Sequence, residues 1–178
     1  PITTRGKYHI NSSLRVLADY VWDPYTSSTN NGYFNLHYQP EPKKIISLGY
    51  NYLLNGDITQ VANSPIEDNA LNQATIALAW PVSDRLSTLG VYSHNISKRY
   101  SMMSFLGLQY EDCCWAFRLL GGRTFKNISP NTLQPKYNSN VYFQILLKGL
   151  GSAANSDPAN ILNTYLPGYD DIFRKTPH

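Results

Sequence analysis

Period-two alternation of apolar and polar residues recurs along most of this chain, in segments of about ten residues, and restricts it to strands with one greasy face and one wet face. In residues 13–23, Leu14, Val16, Ala18, Tyr20 and Trp22 share a face and Arg15 and Asp19 fall on the other. In 32–39, Phe34, Leu36 and Tyr38 oppose Asn35, His37 and Gln39. In 43–54, Ile46, Leu48, Tyr50, Tyr52 and Leu54 oppose Ser47, Gly49 and Asn51, and in 71–80, Ala74, Ile76, Leu78 and Trp80 oppose Gln73 and Thr75. In 101–111, Met102, Leu106, Leu108 and Tyr110 align; in 114–125, Trp115, Phe117 and Leu119 oppose Arg118. In 140–148, Val141, Phe143, Ile145 and Leu147 oppose Tyr142, Gln144 and Lys148. Segment 85–96 is ambiguous in phase, because Leu86 and Tyr92 disagree with Leu89 and Val91. These are eight expected strands, seven of them cleanly periodic.

The composition fits such strands. Only 15% of residues are charged, well under the usual quarter, and 14 of the 23 aromatics are tyrosine. Polar uncharged residues fill the gap, so mean hydropathy is negative although each strand has an apolar face. The formal charge of +3 includes no block of like charges, which gives no reason to expect nucleic acid as a partner.

No run of 18 apolar residues occurs, which excludes a transmembrane helix and leaves strands as the only route across a bilayer. About nine to eleven tilted residues cross the hydrocarbon layer, whereas soluble strands average about five or six. The connectors are expected to alternate in length: long at 24–31, 55–70 and 126–139, medium at 97–100, short at 40–42, 81–84 and around Asp112-Cys113. Segregation of short turns and long loops to opposite ends of a meander is the habit of outer-membrane barrels. Aromatics near strand ends (Trp22, Trp80, Tyr110, Trp115, Tyr137) suit interfacial girdles. The expected fold is therefore all-β, an antiparallel transmembrane β-barrel meander. Residues 1–151 form the barrel segment, and 152–178 form a non-strand tail, periplasmic or luminal, with a short helical turn starting at Asp157-Pro158 and ending by Pro167. Pro1-Ile2, with no initiator Met, reads as an interior stretch of a longer protein.

Catalytic signatures are lacking. His9, His37, His94 and His178 are scattered without metal-ligand spacing, and no phosphate-binding or nucleophile-elbow motif appears. Asp170-Asp171 lies in the tail, where solvation is the expected role. No catalytic residue, cofactor or metal site is expected. Gly121-Gly122 within a strand reads as a bend where the sheet curves, and Gly49, Gly90 and Gly107 answer the same need for curvature or close approach.

Cys113 and Cys114 are the only cysteines. A bond between sequence neighbours closes a strained eight-membered ring. The pair is either two free thiols or two bridges to cysteines outside this sequence.

Around these cysteines the sequence resembles a known family. YEDCCWAFRL, the final strand VYFQILLKGLGS and the tail LPGYDDIF are similar to the C-terminal end of the LPS-assembly protein LptD family. The likeness is best over about 84–173 and diffuse over 13–83. It implies a barrel of about 26 strands, of which this chain supplies about the last eight, and transport of lipopolysaccharide to the outer leaflet of the outer membrane of a Gram-negative bacterium. It implies that Cys113 and Cys114 form disulfides to cysteines in an N-terminal periplasmic region. It assigns Asn140, Val141, Tyr142, Phe143, Gln144, Ile145, Leu146, Leu147 and Lys148 to the strand at a lateral seam through which lipid leaves. The implied partners are lipopolysaccharide, a plug lipoprotein, periplasmic bridge proteins reached through the N-terminal domain, and membrane lipid. Arg15 and Arg118 would line the lumen, and Arg118, Tyr142 and Gln144 are candidate contacts for the plug. Two other readings remain: a small passive porin-like or autotransporter-type barrel, closed by pairing Leu14–Asp23 with Val141–Lys148, and a soluble β-sandwich that binds carbohydrate on Tyr and Trp platforms.

Overall fold

A computed structural model describes residues 1–54, 70–129, 134–147 and 162–169. Its strands are β1 (Ile2–His9), β2 (Leu14–Asp23), β3 (Ser28–Glu41), β4 (Lys44–Leu53), β5 (Leu71–Pro81), β6 (Leu86–Asn95), β7 (Tyr100–Glu111), β8 (Trp115–Ile128) and β9 (Pro135–Leu147). They form one antiparallel sheet in sequence order, β1 to β9, each strand bonded to the next. The strands run from 8 to 14 residues, enough for a tilted membrane crossing. Among the described residues there is no second sheet, which removes the sandwich reading. β1 pairs only with β2 and β9 only with β8, so the sheet is open and Leu14–Asp23 does not meet β9.

The structure adds a strand that the alternation did not reveal. β1 (ITTRGKYH) is mostly polar and exposed along its whole length, so it carries no apolar stripe. Pairing with β2 places it, from Ile2↔Trp22 to His9↔Arg15, and Arg5 Nε meets Asp19 Oδ1 at 2.8 Å. Two loops expected to be long are short. β3 begins at Ser28, β8 runs to Ile128 and β9 begins at Pro135, so these strands extend past their clean alternation. Segment 55–69 lies outside the described residues. The connectors on one rim still span no more than four residues (10–13, 42–43, 82–85, 112–114), and the widest one, 54–70, is on the other rim.

Gly121 and Gly122 mark no bulge: register runs unbroken from Trp115↔Leu147 to Phe125↔Tyr137, and the shift comes after Phe125. Their roles differ. A methyl group at Gly122 would collide with the Ser104 carbonyl and the Phe105 ring, whereas at Gly121 it would meet open space. Gly107, in facing β7, is likewise closed off by Leu120 and the Leu119 carbonyl. Close approach of β7 to β8 is what demands glycine here. Gly122→Ala is expected to destabilise the folded protein by about 2 kcal/mol, the cost of overpacking a filled site, with Gly121→Ala near neutral. Urea midpoints of the two variants refolded in bilayers measure this difference; equal midpoints would show that close approach is not the reason.

Candidate functional site

Alternation sends one set of side chains outward along the whole sheet. Phe34, Leu48, Ile76, Leu106, Leu108, Leu119, Val141 and Phe143 are all exposed large hydrophobics on that face. Phe34 is 44%, Ile76 43% and Phe143 61% exposed, so these side chains do not form an interior core. An exposed apolar surface this continuous needs a nonpolar medium against it. Aromatics border it. Tyr38, Trp80, Tyr110 and Trp115 lie toward the rim of the 42–43, 82–85 and 112–114 turns, with the Tyr110 and Trp115 rings 5.5 Å apart. Tyr20, Tyr50 and Tyr92 lie toward the opposite rim.

The inward face has two halves. Toward β2–β5 it is polar, with Arg15 and Asp19 of β2 as charged members and neutral groups beyond them: Asn35 Nδ2 donates to Ser47 Oγ at 3.0 Å, Thr75 Oγ1 to Ser93 Oγ at 3.1 Å, and Gln73 Nε2 also reaches Ser93. Asn35, Asn51, Gln73, Tyr33 and Tyr165 border a groove of about 360 Å³. Toward β4–β8 the inward face is apolar and covered. Ile45, Ala77, Ala79, Leu89, Val91 and Leu120 pack against Leu162, Leu166 and Tyr169 of the tail. This contact explains the mixed phase of β6: Leu89 and Val91 point inward under the tail while Tyr92 points outward, so both faces are apolar.

The tail segment is a helical turn at residues 162–165 that stops before Pro167. Gly168 follows with φ +88°, a left-handed conformation natural to glycine that turns the chain so that Tyr169 returns to the wall. Burial pushes the Tyr165 phenol above its usual range. The proposed helix start at Asp157-Pro158 and the pair Asp170-Asp171 lie outside the described residues. Sequence reading missed Leu162, Leu166 and Tyr169 as contact residues; the four-residue spacing of the two leucines was the available signal.

Arg118 does not line an open lumen. It is 1% exposed, donates from Nε to Gln109 Oε1 at 2.8 Å and from Nη1 to Gln144 Oε1 at 3.0 Å, and its guanidinium lies 5.9 Å from the centre of the Tyr169 ring. The register Gln109↔Arg118↔Gln144 makes this a ladder across β7, β8 and β9. Arg15 is half-buried and reaches Gln39 Oε1 at 3.4 Å.

Cys113 and Cys114 occupy the β7–β8 turn, both exposed, with sulfurs 3.0 Å apart and no disulfide between them. The turn is closed by the Asp112 amide donating to the Trp115 carbonyl at 2.9 Å. Lys43 and Glu111 pair at 2.7 Å on the same rim, tying the β3–β4 turn to the end of β7. Of the expected seam residues, Val141, Phe143, Ile145 and Leu147 are exposed, Gln144 is buried and Tyr142 is half-buried on the inward face. Asn140 pairs with Gly122 and Leu146 with Ala116, while Lys148 lies outside the described residues. The strand itself starts earlier than expected, at Pro135. Among the described residues no group of three or more His, Cys, Asp or Glu is placed to hold a metal, and no described helix is long and apolar enough to cross a membrane.

A single open antiparallel sheet, apolar outward and polar or tail-covered inward, is the wall of a partial transmembrane-type β-barrel. Comparison with known proteins agrees. The family model described as "LptD: LPS transport system D" matches residues 1–86, the half in which the motif resemblance is diffuse. The LPS-assembly protein LptD of Legionella pneumophila (strain Lens) is 57% identical over 175 residues, covering 98% of this chain and 21% of that protein. That of Pseudomonas aeruginosa (strain UCBPP-PA14) is 28% identical over 178 residues, covering 95% and 19%. The chain belongs to the LptD family. It spans about a fifth of the length of the curated relatives it matches.

The outward face carries a direct test. Leu106 is 67% exposed at mid-strand, so Leu106→Arg should impair bilayer insertion by about 2–4 kcal/mol, measured by refolding into vesicles. Unchanged refolding would reverse the assignment of faces.

Proposed function

We propose that this chain forms part of the wall of an outer-membrane translocon that inserts lipopolysaccharide into the outer leaflet. The observation carrying this reading is the pairing of an outward apolar sheet with a near-full-length match of this chain to LPS-assembly proteins. The work is transport and not bond-making. The amphiphile's sugar-rich head needs a wet path, and Asn35, Ser47, Asn51, Gln73 and Thr75 supply neutral hydrogen-bonding groups on the inward face. Neutral groups of this kind bind weakly in net terms, so they guide without trapping.

In this reading the rim of short turns faces the periplasm. That compartment is oxidising, and the exposed Cys113 and Cys114 form long-range disulfides to cysteines in the N-terminal region of the longer protein. Strand β9 lines a lateral seam: residues 140–148 offer a full set of ladder donors, so a weak seam would arise from the strand opposite. Lipopolysaccharide, a plug lipoprotein seated in the lumen, periplasmic bridge proteins and outer-membrane lipid are the partners. Burial of Arg118 and Gln144 beneath the tail leaves the polar half of the inward face as the more accessible surface for the plug.

The cysteine assignment is tested in the full-length protein. Cys113→Ser together with Cys114→Ser should abolish the mobility difference between reduced and non-reduced gels and lower lipopolysaccharide at the cell surface. An unaltered non-reducing pattern in the double variant would remove these residues from the bridges.

A further inference from the structure

We propose that the tail segment Leu162–Tyr169 is a latch that pins β9, whose free edge forms the proposed seam, to β7 and β8 from inside the barrel wall. The proposal rests on the reading of β9 as a seam strand. Leu162, Leu166 and Tyr169 are 1%, 0% and 0% exposed, so this short segment is seated as firmly as any core residue. Its seat is not confined to the strands opposite β9. Tyr142, on the inward face of β9, packs against the same cluster and sets its ring 5.9 Å from that of Phe105 in β7. Two positions along β9, Gln144 accepts from Arg118, and Arg118 lies over the Tyr169 ring. Both inward-facing side chains in the middle of β9 are thus fastened to the patch that the tail completes.

The chemistry favours a reversible fastening. A guanidinium over a tyrosine face, in a site from which water is excluded, is held more strongly than at a surface, yet it has no covalent tie and no strict geometry. The two glutamine amides accept from two different nitrogens, Nε and Nη1, of one planar guanidinium, so Arg118 positions β7, β8 and β9 together. With the tail seated, bending β9 outward to open its free edge would strip Gln144 from Arg118 and Tyr142 from the apolar cluster as well as strain the β8–β9 ladder. With the tail lifted, Arg118 loses its aromatic cover, water reaches the amide contacts, and β9 is held by its ladder alone. Occupancy of the inward apolar patch, by tail or by something else apolar, then sets how easily the last strand bends outward at the seam.

Amide hydrogen exchange on the full-length protein in its native complex tests this. Tyr169→Ala, and separately Leu166→Ala, should speed exchange of amides 141–147 by about tenfold, the factor expected when one such contact is lost, while β2 and β3 keep their protection. Unchanged exchange in β9 overturns the latch. So does an equal loss spread over β4 to β9, which would make the tail ordinary packing. Added lipopolysaccharide provides a separate readout. If it leaves β9 exchange unchanged in the unmodified protein, the seam reading fails, while the response of β9 to Tyr169→Ala still decides whether the tail holds that strand.

Discussion

The β-ladder is the constraint on which the other features depend. A strand with one face in hydrocarbon has no water to satisfy its amides and carbonyls, so each group must bond to a neighbouring strand. The register from Ile2↔Trp22 through Trp115↔Leu147 meets that demand for every interior strand of the sheet. It also fixes the faces. A slip of one residue would bring Asn35, Gln73 and Arg118 outward in place of Phe34, Ile76 and Leu119, and the cost of exposing them to lipid keeps the pairing in place. The outer edges of β1 and β9 are the two places where this logic is left unfinished within the chain.

Curvature and closeness within the sheet follow from small residues and rim contacts. Gly122 and Gly107 let β7 and β8 approach where side chains would hold them apart. At the rim of short turns, Lys43–Glu111 joins turns separated by the whole β4–β7 stretch, and the cysteines sit beside it. One ion pair of this kind, partly exposed, adds little stability. Its consequence is geometric, since it sets the β7–β8 turn relative to the β3–β4 turn and so fixes where the two thiols are presented.

How much was legible in the sequence depended on whether a segment had one apolar face. Strands β2 to β5 and β7 to β9 read correctly in phase because Phe34, Ile76, Leu106 and Val141 each sit in an uninterrupted alternation. β1 was invisible because a mostly polar, exposed edge strand has no apolar stripe; pairing with β2 makes it a strand. β6 was ambiguous for the opposite reason, being apolar on both faces. The loop lengths were overestimated where polar strand ends run beyond the apolar band, as in 28–31 and 135–139. The cysteine turn was placed directly, but the burial of Arg118 was not, since local pattern sees only that it opposes Trp115 and Phe117, not what lies over it.

The covered inward patch changes the physical picture of the barrel's interior. An inner wall that is polar throughout would offer an amphiphile a path for its head only. Here the inward face divides between polar, hydrogen-bonding groups near β2–β5 and aliphatic side chains near β4–β8, with the tail occupying the second. Leaving Ile45, Leu89 and Leu120 open to water would cost roughly 25 cal/mol for each Å² exposed, so a cover is favoured whenever the lumen is wet. The tail is attached to the same chain and therefore present at high effective concentration, which lets a modest contact stay seated. A competitor must then be apolar itself to displace it, as an acyl chain is and a sugar is not.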